Sequence, residues 1–184
     1  MNRRLLLIAS IALALVVTAA PAFAHVEVSP EEAVRGTTTG FAFTVPNEID
    51  SAKTVKVEIF FPDDAAFTEV TPKPIPGWTA SATKASVTWQ GGTIAGEDEV
   101  EFLVTLGPLP NSDSLVFKAL QTYDNGDVVR WIELTPAGGE EPEHPAPVVT
   151  LTGPAIAGVT STTASSSETT AASHDHSDDN DDSN

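Results

Sequence analysis

The chain contains no cysteine. That absence excludes disulfides, thiolate metal sites and cysteine nucleophiles, and it removes the residue a lipoprotein would need to carry its lipid. Basic residues are also scarce: nine Lys and Arg stand against 26 Asp and Glu, for a net charge of −17. A chain this acidic is expected to avoid nucleic acid and anionic lipid surfaces and to attract cations. There are only four histidines, and no Gly-x-Ser-x-Gly occurs. Among residues 25–152 only His144 lies away from the start, so a Ser-His-Asp triad would depend on it. No glycine-rich loop precedes a helix, and no long stretch carries an apolar stripe of helical period. Carboxylates are abundant, but their number follows from the acidity and gives no specific support to glycosidase chemistry. The chain is expected not to be an enzyme.

What is present begins with residues 1–24, which read as a secretory signal. Asn2-Arg3-Arg4 gives a positive start, Leu5 to Val17 is nearly unbroken apolar sequence, and Ala22-Phe23-Ala24 is a small-x-small cleavage site. The apolar run falls short of the roughly 20 residues of a transmembrane helix. The expected location is therefore secreted or extracytoplasmic. Cleavage after Ala24 removes Arg3 and Arg4, taking the charge to about −19. It also makes His25 the N-terminal residue. His25 then offers a free α-amine and an imidazole Nδ1 that together chelate one metal ion in a six-membered ring. A histidine inside a chain cannot do this, because its backbone nitrogen is an amide. Such donors suit copper(II) and other divalent ions that favour imidazole. Val26-Glu27-Val28 follows at once as strand-like sequence, which would pin the terminus.

Residues 25–152 are expected to form one domain, an all-β antiparallel sandwich of immunoglobulin-like or cupredoxin-like type. Apolar residues alternate with period two at Phe41, Phe43 and Val45; at Val55, Val57, Ile59 and Phe61; and at Val100, Phe102, Val104 and Leu106. Thr54, Lys56 and Glu58 fall on the opposite face of their strand. Val87 and Trp89 mark a shorter piece. Leu115 to Tyr123 and Val128 to Leu134 flank Asn125-Gly126, a hairpin turn signal. Pro30 to Val34 is the only segment suggesting a helical turn, and Val148 to Leu151 suggests a last edge strand. Val128, Ile132 and Leu134 read as the core side of their arm, so Trp131 is expected to point away from the core, where it can cover a site. Residues 153–184 have almost nothing to bury and read as a disordered tail, with His174 and His176 among aspartates and no hydrophobic anchor.

A bidentate His25 leaves a divalent ion short of ligands. His144 lies in a loop, so a carboxylate is the expected complement. Glu27, Glu58, Glu97, Glu99 and Glu101 are all candidates, and spacing does not choose among them.

Several short pieces together resemble one family: Ala24-His25-Val26-Glu27-Val28-Ser29-Pro30, Thr54-Val55-Lys56-Val57-Glu58 and Pro76-Gly77-Trp78. To these are added Thr88-Trp89, Gly91-Gly92-x-Ile94, Gly96-Glu97, Glu101-Phe102, Phe117 to Tyr123, and Asn125-Gly126-Asp127-Val128-Val129-x-Trp131. In order and spacing they are similar to the YcnI-like extracytoplasmic copper-binding proteins of bacteria. The resemblance implies a β-sandwich that binds one copper(II) through a single-histidine brace. It implies His25 as the amine and imidazole donor, Glu58 as the oxygen donor and Trp131 beside the metal. It further implies copper trafficking, with a membrane copper transporter or another extracytoplasmic copper protein as partner. Many members end in a transmembrane anchor; the His/Asp tail here departs from that pattern and would instead collect copper. Two other functions compete. One is a structural or adhesive sandwich without metal. The other is a copper-dependent polysaccharide oxidase, which needs a second histidine to complete a three-nitrogen brace.

Overall fold

The computed structural model describes residues 25–155; the signal expected over 1–24 and the tail from residue 156 onward lie outside the described residues. Among the described residues, twelve strands account for the regular structure. They are β1 (Glu27–Ser29), β2 (Glu32–Val34), β3 (Thr39–Pro46), β4 (Thr54–Phe60), β5 (Glu69–Pro72), β6 (Thr79–Ala82), β7 (Ser86–Ile94), β8 (Glu99–Gly107), β9 (Ser114–Val116), β10 (Lys118–Tyr123), β11 (Val128–Trp131) and β12 (Val148–Thr152). One sheet has the order β1-β3-β8-β5 and a second the order β11-β10-β4-β7-β6. A small third sheet, β2-β12-β9, joins the same core through Ala33, Leu115, Val149 and Leu151.

The period-two alternation explains the two large sheets. Phe41, Phe43 and Val45 of β3 and Phe102, Val104 and Leu106 of β8 are all buried, facing Val57, Ile59, Val87 and Trp89 of the other sheet. Aromatic rings bridge the layers: Trp89 lies 5.1 Å from Phe102, and Phe43 meets Phe117 edge-on at 5.1 Å. The Asn125-Gly126 hairpin forms as expected, with Gly126 at φ +93° and the Tyr123 amide donating to Asp127 at 2.9 Å.

Four local expectations are corrected. Glu32–Val34 is a strand, not a helical turn; it pairs parallel with β12, so its backbone bonds go to a distant partner. β12 is therefore an inner strand, flanked by β2 and β9. The Leu115–Tyr123 run divides into two strands in different sheets, separated at the buried Phe117. Thr54 is fully buried, because a register irregularity between Thr54 and Lys56 breaks the alternation and turns its side chain inward.

Three buried polar residues, Asn47, Thr54 and Gln121, stand among these apolar neighbours, and the buried Tyr123 joins them. The Glu48 backbone N–H donates to the Tyr123 phenol oxygen at 3.4 Å. Burial pushes the Tyr123 phenol above its ordinary value; hydrogen bonds with the Glu48 backbone and the Thr54 side chain oppose the rise, and the Glu48 charge adds to it.

Two outcomes are expected from this packing. A Cβ on Gly92 would collide with the Trp78 indole, so Gly92→Ala should lower unfolding stability in urea by about 1–3 kcal/mol. Tyr123 is the single tyrosine, so tyrosinate absorbance reads it alone. A folded pKa above the unfolded one means the fold holds the proton more tightly; its contribution is intact below about pH 10 and lost as pH rises past the folded value. The absorbance midpoint should lie above pH 10, with stability falling there, and a midpoint at or below 10 would contradict the burial argument.

Candidate metal centre

β1 and β11 are the edge strands of the two large sheets, and His25 and Trp131 meet at this edge. β1 is short, but Val26 and Val28 are buried beside its pairing with β3. Each such valine contributes about 1.5–3 kcal/mol when fully buried, enough to hold an end that would otherwise fray. His25 is consequently fixed, with its side chain 21% exposed and its ring edge-on to Trp131 at 6.1 Å.

Trp131 itself corrects the expectation for its arm. It is fully buried, as is Ala119 opposite it, while Ile132 and Leu134 are exposed. Val129 and Trp131 form the inward face, because that face meets the apolar layer of β10 and β4. The tryptophan is thus both a core residue and the wall against which His25 rests. Its indole N–H donates to Gln121 Oε1 at 3.1 Å.

The segment after β11 brings in an acid from far along the chain. The Glu133 N–H donates to the His144 carbonyl at 3.2 Å and the Ala146 N–H to the Glu133 carbonyl at 2.8 Å, closing a loop across residues 134–143. Glu141 on that loop places Oε1 3.5 Å from His25 Nδ1. His144 is half-buried with its ring 5.0 Å from Trp131, so both histidines of the described residues border the same indole. An open groove of about 870 Å³ runs past His25 and carries Glu27, Glu31 and Glu141 along it. Three carboxylates in one groove concentrate cations there.

A second acid lies at the same end. The register Glu27↔Thr44, carried two residues further, brings His25 level with Pro46, and Glu48 follows two residues on, half-buried. Glu58 is placed elsewhere. Its neighbours across the sheet are Leu120 and Thr88, whereas Trp131 shares a face with Ala119 and Ile59. Alternation therefore sends Glu58 to the opposite face of the sheet from Trp131, where its Oε2 pairs with Lys56 Nζ at 2.7 Å. Glu97, Glu99 and Glu101 are exposed, the last two on β8. The structure brings His25 and Trp131 together and does not bring Glu58 to them; His174 and His176 lie outside the described residues.

Glu141 and Glu48 were not among the acids singled out from the sequence. Glu141 carries no sequence signal, being remote in the chain and in a Pro/Gly/Glu-rich segment. Glu48 becomes visible only with the β1–β3 register. Among the described residues, no three His, Cys, Asp or Glu side chains gather as a ready metal cage. Signal removal, as expected from the sequence, would expose an α-amine on His25 as a further nitrogen donor. One amine, one imidazole and a nearby carboxylate form a mixed nitrogen–oxygen donor set that fits copper(II).

Comparison with known proteins gives the family. The chain is 32% identical over 141 residues to the copper-binding protein CutI of Bacillus subtilis (strain 168), a match that takes in 72% of this chain and 65% of that relative. It is also similar to a crystal structure from Nocardia farcinica with an immunoglobulin-like fold, at 34% identity and a TM-score of 0.62, covering 69% of this chain and 97% of that one. Of the two sandwich types expected, the immunoglobulin-like one is therefore observed. The family described as Domain of unknown function (DUF1775) matches residues 25–87 and 81–151, and the chain belongs to it, in keeping with its YcnI-like resemblance.

Proposed function

We propose that this chain is an extracytoplasmic copper(II)-binding protein that carries copper as cargo in copper trafficking, and that His25 is its principal ligand. The observation that carries the reading is the held imidazole of His25, set at an acidic groove against Trp131 with a carboxylate 3.5 Å from Nδ1. The relation to a copper-binding protein supports copper as the metal. After signal removal, the α-amine and Nδ1 of His25 chelate the ion in a six-membered ring. Protons compete with the metal for such nitrogen donors, so affinity weakens in acid.

The oxygen donor in this reading comes from the His25 end of the sandwich, from Glu48 or Glu141, ahead of Glu58. Glu58 would have to leave Lys56 and cross to the other face of its sheet. Glu141 is already beside Nδ1 but is exposed on a loop. Glu48 is half-buried, and its amide is tied to Tyr123, which makes it the more rigid of the two. Trp131 lines the site and limits water access to it. A membrane copper transporter or another extracytoplasmic copper protein is the proposed recipient.

Copper(II) titration with electron paramagnetic resonance on protein beginning at His25 tests this. One ion per chain with two nitrogen donors is expected, and His25→Ala should abolish the signal of that site. Glu48→Gln or Glu141→Gln should weaken binding, while Glu58→Gln should leave it near the wild-type value. Three coupled nitrogens would instead bring in His144, and no stoichiometric uptake under chelator competition would favour a structural sandwich.

A further inference from the structure

We propose that Gln121 is a positioning residue for the metal site, holding the Trp131 indole against His25 and fixing the end of β3 that leads to Glu48; the inference rests on the copper reading above. Gln121 is 1% exposed, at an inward position of β10 where its neighbours two residues away are Ala119 and Tyr123. An apolar side chain of the same size would fill that space without the cost of burying an amide. The amide must therefore be used, and the hydrogen bonds show how.

Gln121 Oε1 accepts from the Trp131 indole N–H at 3.1 Å. Its Nε2 donates to the Pro46 carbonyl at 2.7 Å and to Thr54 Oγ1 at 2.7 Å. The Thr54 hydroxyl donates in turn to Asn47 Oδ1 at 3.2 Å, which also accepts the Thr54 N–H at 3.1 Å. Asn47 Nδ2 then donates to the carbonyls of Ile49, Ala52 and Gly96.

Only one orientation of each amide satisfies this chain. The indole N–H and the Thr54 backbone N–H are donors only, and the Pro46 carbonyl is an acceptor only. Reversing Gln121 would face its NH₂ against the indole N–H and its oxygen against the Pro46 carbonyl. The direction of every bond is thus set from Trp131 at one end to residues 46–54 at the other. One end meets the site, where Trp131 borders the His25 ring; at the other, Pro46 and Asn47 lead to Glu48, which the β1–β3 register sets toward the same end of the sandwich. A fully satisfied buried network resists rearrangement, and removing its centre leaves several groups unpaired at once. Groups bonded directly to a ligand commonly alter metal affinity about 10- to 100-fold when removed; Gln121 acts one step further out, through the Trp131 indole, so a smaller loss is expected.

The test uses Gln121→Met, which keeps length and volume and deletes both amide functions. Copper(II) affinity and the electron paramagnetic resonance spectrum are measured on protein beginning at His25, alongside the thermal midpoint and tryptophan emission of the metal-free form. The expected result for folded Gln121→Met is an affinity weaker by up to about 10-fold, the low end for groups bonded directly to a ligand, with an altered copper spectrum and a shifted indole emission before metal is added. A purely structural role would lower the thermal midpoint and leave the spectrum and affinity of the folded fraction unchanged; that result overturns the inference while the copper reading stands. Should Gln121→Met not fold, Trp131→Phe keeps a ring and deletes the N–H to Gln121. It should move affinity and spectrum in the same direction, and wild-type values would overturn the inference. Wild-type protein that takes up no copper(II) overturns the copper reading and this inference with it.

Discussion

β1 is three residues long and lies at a sheet edge, so the site depends on the pairing of Glu27, Val28 and Ser29 with Thr44, Phe43 and Ala42 of β3. A free N-terminal histidine on a frayed end would chelate metal much as a short peptide does, with no protein wall and no chosen third ligand. Val26 and Val28, buried on either side of Glu27, hold the segment to the core. With that anchoring, the first residue of the domain is presented at a fixed height against Trp131, level with Pro46. In the proposed reading, each remaining element then has a task. β11 supplies the aromatic wall, the loop closed by Glu133 and His144 supplies Glu141, and the buried polar chain through Gln121 ties wall and strand together.

Much of this was legible in the sequence, and the reason is local. Strands with one face in the core announce themselves by alternation, as Phe41-Phe43-Val45 and Phe102-Val104-Leu106 do. Asn125-Gly126 declares a turn through its backbone preferences alone. What the sequence hid is non-local. Val128, Ile132 and Leu134 alternate as well as Val129 and Trp131, and only the pairing of β11 with β10 decides which set faces inward. The irregularity that buries Thr54 arises where β4 shifts against β7, which no pattern within β4 reveals. Glu32–Val34 needs β12, more than a hundred residues away, to become a strand. The acids followed the same rule. Glu58 was attractive because it lies on a polar strand face, but that face is opposite the one Trp131 occupies. Glu48 and Glu141 required a register and a loop closure to be noticed.

The inward amide of Gln121 is an intermediate case. A polar residue at an inward position of a strand, between Ala119 and Tyr123, is a sequence-level anomaly. Its partners Trp131, Pro46 and Thr54 come from three other strands, so its role is readable only from the fold. The acidic surface is a contribution of a different kind. A strongly negative chain with three carboxylates along the His25 groove raises the local concentration of cations without specifying which one is kept. In the proposed reading, selection falls to the donor set, where an α-amine on His25 would separate the arrangement from an ordinary surface histidine.

The dependence on a free amine is the central claim, and one comparison tests it most directly. Copper(II) affinity is measured for protein beginning at His25 and for the same protein with a single glycine preceding His25, each shown folded by its thermal midpoint. The added residue turns the His25 nitrogen into an amide while leaving every side chain of the groove in place. The account predicts that the tight one-to-one site is present in the first protein and lost in the second. Equal affinity in the two would contradict it, and would move the site to side chains alone.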